Sequence, residues 1–318
     1  MLAYTLRRLL FAIPTLLAVT LFAFLLVRLA PGDPLDSVLP REASPAEREQ
    51  AARDLGLDQP LPMQYAVWLG RTVQGDLGRS LVRRRPVADE LKESLKNTFI
   101  LAISAGLLGW TCGIVLGTVA AFNRGRWPDK LASAVAITGV SMPNFWMAIL
   151  LIVLFAITLG VLPPSGMTTV GEEFSLGDLA SHMVMPAIAL ALVPMGVVTR
   201  MVRASVLEIL NQEFVLALQA KGLPGRQVLF HVLKNAAPPV MTIMGLQMSN
   251  LLGGSILVES VFAWPGEGLL INLALTQRDF PVLQAGILTL ATFFVVINLT
   301  VDVLHGAAVA ATRRVGGV

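Results

Sequence analysis

The amino-acid sequence predicts an all-α polytopic membrane protein with six transmembrane helices and one helix-turn-helix element outside the membrane. Of its 318 residues, 55% are hydrophobic and only 14% are charged, and the mean hydropathy is +0.70. A soluble chain normally carries about 25% charged residues. Six apolar runs are each long enough to cross a hydrocarbon core of about 30 Å. A mostly polar, basic island separates the fourth of these runs from the fifth.

The first apolar run, Leu9 to Val27, follows two arginines and is predicted to be a retained transmembrane helix. A cleaved signal peptide fits less well, because the run is long and no small-residue cleavage site follows it. The predicted organisation is therefore residues 1–29 as the N-terminus and first helix, and 30–96 as a small external segment. Residues 97–318 form a five-helix transmembrane core that contains the basic element at 205–238.

The helices of this core are predicted from five apolar runs, which are Asn97–Phe122, Leu131–Leu159, His182–Val202, Val240–Val261 and Leu283–Ala311. The first of them carries Gly109, Gly113 and Gly117 at intervals of four. Such a small-residue stripe favours close packing against another helix.

The basic residues predict the orientation of the chain, since short cytoplasmic loops are enriched in lysine and arginine. With a cytoplasmic N-terminus, the two short outer loops hold only Arg278. The inner segments then hold Arg7, Arg8, Arg124, Arg126, Lys130, Arg200, Arg203, Lys221, Arg226, Lys234, Arg313 and Arg314. Both termini and the basic element are therefore predicted to be cytoplasmic.

The basic element, Asn211 to Pro239, reads as two short helices joined by a tight turn. One helix follows Glu213 and ends near Lys221, where Gly222 suits a left-handed C′ position. The second is predicted over Arg226–Ala236 and is expected to end at Pro238-Pro239. This shape suits docking into a groove of another protein; an ordinary basic loop is the alternative.

The sequence contains no motif for chemistry of its own. It has no phosphate-binding P-loop pattern and no nucleophile or zinc-protease motif. Its three histidines lie far apart, which argues against a metal site, and Cys112 reads as a packing residue. The net charge of +3 is too small to indicate nucleic-acid binding. Asn298 and Asp302 share one helical face and read as a structural polar clamp rather than a transport site. Because the sequence has no series of intramembrane carboxylates or histidines, a proton-coupled transporter is not favoured, and without a catalytic cluster neither is an enzyme.

Short motifs along nearly the whole chain resemble the inner-membrane permease subunits of the dipeptide/oligopeptide/nickel family of ATP-binding-cassette (ABC) importers. They occur in the family's order. They are Arg7-Arg8-Leu9-Leu10, Leu29-Ala30-Pro31-Gly32-Asp33-Pro34, Leu55-Gly56-Leu57-Asp58-Gln59-Pro60, Gly75-Asp76-Leu77-Gly78-Arg79-Ser80, Ser141-Met142-Pro143-Asn144-Phe145-Trp146, Arg200-Met201-Val202-Arg203-Ala204-Ser205 and Glu259-Ser260-Val261-Phe262-Ala263-Trp264-Pro265-Gly266.

The resemblance implies a type I importer permease fold in the bacterial inner membrane, with the basic element as the coupling element. The residues expected to contact an ATPase are Glu213, Gln219, Ala220, Lys221, Gly222 and Arg226. Two cytoplasmic ATPase subunits would bind ATP and Mg, while this chain would bind no cofactor. The sequence departs from the family at Leu216, where a basic residue is usual, and in its tail.

The same resemblance implies an alternating-access path for solute. On the fifth transmembrane run, Gln247, Asn250 and Gly254 share one helical face and are the candidate path lining, with interhelical hydrogen bonding as the alternative. The loop Trp264-Pro265-Gly266 would face a periplasmic or lipid-anchored solute-binding protein.

Short peptides are the expected cargo, and a second, homologous permease the expected partner. Nickel or a metal chelate, glutathione or an oligosaccharide stay open as cargo, as does a second copy of this chain as partner. An ATP-independent transporter or channel is the alternative of a different class.

Overall fold

The computed structural model describes the backbone of residues 2–29, 43–54 and 58–315, and side chains within 7–26, 43–50, 52–53 and 58–303. Within these ranges the regular structure is helical, apart from an isolated β-bridge between Arg79 and Pro86. The motif at 30–34, residues 55–57 and the side chains of Arg313 and Arg314 lie outside the described part of the chain.

Eleven α-helices follow one another in the described ranges. They are α1 (Leu2–Leu29), α2 (Pro45–Asp54), α3 (Leu61–Val73), α4 (Val87–Phe122), α5 (Trp127–Ser141), α6 (Asn144–Leu151, continued by a π-helical stretch, Ile152–Thr158), α7 (Leu176–Leu210), α8 (Glu213–Ala220), α9 (Gly225–Val261), α10 (Glu267–Gln277) and α11 (Phe280–Val315). Helices α1, α4, α7, α9 and α11 contain segments long and apolar enough to cross a membrane. The predicted total of six holds when α5 and α6 count together as one bent span.

The third apolar run departs from the prediction of one continuous helix over Leu131–Leu159. Its two halves meet at an angle of 105° at Met142-Pro143. Met142 is extended, with φ −85° and ψ 130°, because a proline disfavours helical geometry in the residue before it. With 15 residues, α5 is about 22 Å long, which is less than a hydrocarbon core of about 30 Å.

The larger of two compact units comprises residues 99–264 and 296–315, together with 2–5. Within it α7 packs against α5, α6 and α9. The glycine stripe of α4 also lies on α7: a Cβ added at Gly109 would be 2.8 Å from the carbonyl oxygen of Ala191, and one at Gly117 would be 2.6 Å from that of Thr199. The predicted role of the stripe in close helix packing is therefore confirmed.

The smaller unit comprises residues 6–98 and 265–295, apart from the ranges left undescribed. The part of the chain that is predicted to be a small external segment contains α2 and α3. On α1, Thr20 shares a hydrogen bond of 2.7 Å with the hydroxyl of Tyr65 on α3. Near the other end of the unit, the buried carboxylate of Asp279 accepts hydrogen bonds from the hydroxyl of Ser80 and the backbone N–H of Leu81.

Helix boundaries in the membrane runs were predicted too narrowly. Helix α4 begins at Val87, ten residues before the predicted start at Asn97, and α10 occupies a stretch that was read as an outer loop. Polar and charged residues at the ends of these helices hid the boundaries, because hydropathy reports which residues are apolar and not where the hydrogen-bonded backbone ends.

Candidate coupling element and polar cavity

The turn of the basic element has the geometry that the sequence predicts. Helix α8 ends at Ala220, and Gly222 follows with φ +75°. The N–H of Gly222 donates to the carbonyl of Gln219 at 2.9 Å, and that of Leu223 donates to the carbonyl of Leu218 at 3.2 Å. These two bonds define a Schellman motif, in which a left-handed glycine satisfies the last carbonyls of a helix.

The second helix of the element is longer than predicted. The expected end at Pro238-Pro239 is wrong, because α9 continues from Gly225 through both prolines to Val261. Val232, Ala236 and Val240 recur at intervals of four and are all buried in the same apolar cluster. The second half of the basic element is therefore the beginning of α9, a helix long and apolar enough to cross a membrane, and not a separate short helix.

One side of the element packs onto the end of α7. Val215 of α8 and Val228 of α9 are buried in the cluster that contains Val206 and Ile209 of α7. Burial of apolar side chains contributes about 25 cal/mol per Å² removed from water. This contact therefore anchors α8 and the start of α9 to the long helix that precedes them.

The other side of the element is exposed and contains every residue predicted to contact an ATPase. These residues are Glu213, Gln219, Ala220, Lys221, Gly222 and Arg226. Leu216 and Phe230 are also exposed, by 61% and 64%, and sequence reasoning gave neither a role. The sequence offered one signal for this exposed apolar surface: Leu216 is apolar at a position where the family usually has a basic residue.

An ion pair ties the beginning of α5 to α7. The Nε of Arg203 donates to Oδ1 of Asp129 at 2.6 Å, and its Nη2 donates to Oδ2 at 2.9 Å. The backbone N–H of Gly125 donates to the same carboxylate at 2.8 Å. Paired hydrogen bonds of this kind hold both partners in a defined orientation. The sequence near Asp129 does not indicate this pairing, because the partner lies 74 residues away.

Two of the three candidate path residues on α9, Gln247 and Asn250, line a small cavity. Gln247 is 7% exposed, and its Oε1 accepts a hydrogen bond of 3.0 Å from Nδ2 of Asn250. Both line a cavity of about 40 Å³ with Asn144 and the apolar residues Leu190, Val193, Pro194 and Leu251. A Cβ added at Gly254 would be 3.5 Å from Nδ2 of Asn144.

Asn144 is the residue of this cavity that sequence reasoning did not select. It was quoted only as part of a family motif. Pro143 just before it interrupts an apolar run, and interrupted membrane segments often surround solute sites because their unwound backbone needs polar partners. That interruption was the signal available in the sequence. The assignment of these carboxamides to a solute path stays a prediction.

The loop at Trp264, which is predicted to be external, differs from expectation in one respect. The side chain of Trp264 is fully buried at 0% exposure, whereas Pro265 is exposed. Trp264 was predicted to face a binding protein; in this conformation its indole is a core residue, and Gly266 is buried as well. Pro265 is the exposed residue of the three.

The polar residues of α11 have a partial explanation. The hydroxyl of Ser249 on α9 donates to Oδ1 of Asn298 at 3.2 Å, so Asn298 joins two helices of the larger unit. Within the residues described, no group of three or more His, Cys, Asp or Glu is close enough to hold a metal ion.

Comparison with known proteins identifies the family. The model for the binding-protein-dependent transport system inner membrane component matches residues 113–314, and the model for the N-terminal part of such components matches residues 1–102. The chain belongs to this family. It is therefore a multi-pass inner-membrane protein of the ABC importer permease class.

Relatives match the chain from end to end. The di/tripeptide transport system permease protein DppB of Pseudomonas aeruginosa is 39% identical, over 97% of this chain and 98% of its own length. The glutathione transport system permease protein GsiC of Escherichia coli K12 is 42% identical, over 98% and 99%.

A solved structure supports the fold. The MetNI methionine ABC transporter, in an inward-facing conformation, matches with a TM-score of 0.53 at 18% identity, covering 70% of this chain and 95% of the matched chain. At that identity the match bears on the fold alone.

Proposed function

We propose that this chain is the permease subunit of an ATP-driven importer that moves short peptides across the bacterial cytoplasmic membrane. The observation that carries the proposal is its end-to-end similarity to a permease named for di- and tripeptides. The exposed coupling element, which is anchored to α7, supports it.

The partners follow from this function. Two cytoplasmic ATPase subunits bind ATP and Mg, and this chain carries no ATPase site. A second permease, expected to be a homologue, completes the path, and a solute-binding protein delivers the peptide. Both termini and the coupling element lie on the cytoplasmic side.

The packing supports a route from ATPase to path. An ATPase that holds the exposed face of α8 moves the end of α7, because Val215 and Val228 pack on it. Helix α7 in turn pulls the beginning of α5 through the Arg203–Asp129 pair. The break after α5 then changes the position of Asn144 beside α9. This sequence couples nucleotide binding to the polar cavity.

Glutathione is the second candidate cargo. It is itself a tripeptide, and a permease named for it is 42% identical to this chain over nearly its full length. A path that accepts neutral peptide groups would admit both compounds, so the choice between them would belong to the binding protein.

The test of the cargo is uptake by the complete importer in proteoliposomes. The chain is co-purified with its partners from native membranes in mild detergent and reconstituted, and uptake of a labelled dipeptide, glutathione and nickel is measured with and without ATP. We expect ATP-dependent dipeptide uptake. Uptake by this chain purified alone, without ATP, would contradict the proposal and favour a self-sufficient transporter.

The coupling element is tested at Gly222. A Cβ there has open space, so the strain comes from its φ of +75°, where an alanine costs about 1 kcal/mol and a β-branched residue more. We expect Gly222→Val to lower ATP-dependent uptake at least tenfold and Gly222→Ala to lower it less. Gly225→Ala is the matched control, since that glycine also has open space but no positive φ. Equal uptake by all three variants would show that the turn has no role in coupling ATP hydrolysis to transport.

A further inference from the structure

Three carboxamide side chains meet at the cavity beside the break in the third apolar run. Gln247 and Asn250 are hydrogen-bonded to each other within α9. Asn144, from α6, completes the polar part of the lining. Its Oδ1 is buried and has no hydrogen-bond partner among the described residues. A buried amide oxygen without a donor is unfavourable, so the site is suited to a donor from outside the protein.

The position of Asn144 depends on the break. It is the first residue of α6, directly after Pro143, and the backbone at Met142 and Pro143 is extended. Met142 and Pro143 join two short helices at 105°. A change in backbone angle at these two residues moves Asn144 relative to α9 without unfolding either helix.

The chemistry of the lining is neutral. Among the described residues that line it, none is charged; beyond the three carboxamides these are Leu190, Val193, Pro194 and Leu251. A carboxamide offers both a donor and an acceptor, and a peptide bond offers the complementary pair of N–H and C=O. Such a site binds the main chain of a peptide and makes no charge-based distinction among its side chains.

The cavity is small compared with a peptide. A volume of about 40 Å³ has room for only a few water molecules, whereas a dipeptide needs several times more. Because Oδ1 of Asn144 is buried, a peptide bond reaches it only when Asn144 moves away from α9.

We propose that Asn144, together with Gln247 and Asn250, forms a hydrogen-bonding constriction in which Oδ1 of Asn144 accepts the N–H of a peptide bond in transit. This inference rests on the proposed import of peptides. It assigns Asn144 as a cargo-binding residue and the break at Met142-Pro143 as the element that opens the constriction.

The first test compares a dipeptide with its ester analogue, in which an oxygen replaces the N–H of the peptide bond. Each is bound to the solute-binding protein before uptake by the complete importer is measured. The wild type should move the dipeptide about five to ten times faster than the ester, the value of one hydrogen bond of about 1–1.5 kcal/mol. Asn144→Leu should lose this preference, because it lowers dipeptide uptake and leaves ester uptake nearly the same.

The matched control is Asn123→Leu, the same change at a partly exposed asparagine that directly follows α4 and whose Nδ2 donates to the carbonyl of Val119. It should keep the wild-type ratio. An unchanged ratio in Asn144→Leu, in an importer that moves dipeptides, overturns the constriction and leaves the proposed function standing. If the wild-type importer moves no dipeptide, the proposed function is contradicted instead.

A second test does not depend on uptake by a leucine variant. Cys112 is the chain's single cysteine, so Cys112→Ala provides a background for Asn144→Cys. During ATP turnover a small water-soluble thiol reagent should modify this residue, and excess dipeptide with its binding protein should slow the modification at least fivefold. Ile149→Cys, on the same helix and outside the cavity, is the control and should show no such protection. A thiol at residue 144 that stays unreactive throughout turnover contradicts the proposal.

Discussion

Prolines lie within the third apolar run, at Pro143, and directly before the fifth, at Pro238-Pro239, and the backbone differs between the two places. At Pro143 the helix breaks and the chain turns by 105°. At Pro238-Pro239, where two consecutive backbone N–H groups are missing, α9 continues without a break in its assignment. From the sequence, the opposite was predicted: a continuous helix through Pro143 and a helix end at Pro238-Pro239.

The surroundings of α9 explain its continuity. Val232, Ala236 and Val240 on either side of the prolines are buried on one face. Lys234 and Asn235, whose carbonyls lose their usual donors, are exposed, and water can hydrate them. The hydroxyl of Thr242 also donates to the carbonyl of Pro238 at 3.0 Å. Packing across the prolines therefore outweighs the loss of two helix bonds.

The break at Pro143 has different surroundings. Gly139, one turn before it, lies so close to α7 that an added Cβ would be 2.8 Å from the carbonyl oxygen of Leu192. After the break, α6 packs against both α7 and α9. The two halves are thus held in different directions by their neighbours, and proline permits the bend that packing requires. A proline therefore marks where a helix can break, while tertiary contacts decide whether it does.

The largest expected effect comes from cutting the link between the bent pair and the coupling element. Arg203→Glu removes two charge-assisted hydrogen bonds and places two carboxylates together. We expect thermal unfolding of the assembled complex to show a loss of about 2 to 3 kcal/mol, and ATP-dependent uptake to fall more than tenfold.

Two variants control this prediction. Arg200→Glu makes the same change at an exposed position on the same helix and should keep uptake within about threefold of the wild type, as expected of a surface charge. Asp129→Lys combined with Arg203→Glu restores opposite charges and should recover part of the uptake. Failure of the double variant to exceed Arg203→Glu would show that the pair does not act as a unit.

A smaller effect is expected at the break itself. Pro143→Ala removes the restriction on Met142 and allows helical geometry to continue from α5 into α6. We expect dipeptide uptake to fall about fivefold with normal recovery of the ATPase partners, because the constriction would open less readily. Unchanged uptake would show that packing alone maintains the break.

The smallest effect is expected at the other prolines. Pro238→Ala combined with Pro239→Ala restores two helix hydrogen bonds without changing the buried face of α9. A proline inside a helix costs about 3 kcal/mol, so thermal stability should stay the same or rise, and uptake should stay within about twofold. A tenfold loss of uptake would contradict this reading and give the prolines a role in the shape of the coupling element.

Sequence by itself determined the features that rest on local chemistry. Composition and the length of the apolar runs predicted a helical membrane protein. The glycine at position 222 predicted the turn after α8, because few other residues tolerate a φ of +75°. The spacing of Gly109, Gly113 and Gly117 predicted a packed face. The order of short motifs indicated the family, which the family models confirm.

Tertiary structure alone decided which distant residues meet. Asp129 finds Arg203 only because α5 packs on α7, and Asn144 reaches Gln247 and Asn250 only because the third run bends. Trp264, which was predicted to face a binding protein, is fully buried. Periodicity reports which face of a helix is apolar, but the neighbour that covers this face depends on the packing of several helices at once. The coupling turn was therefore readable from the sequence, whereas the cavity that it is proposed to control was not.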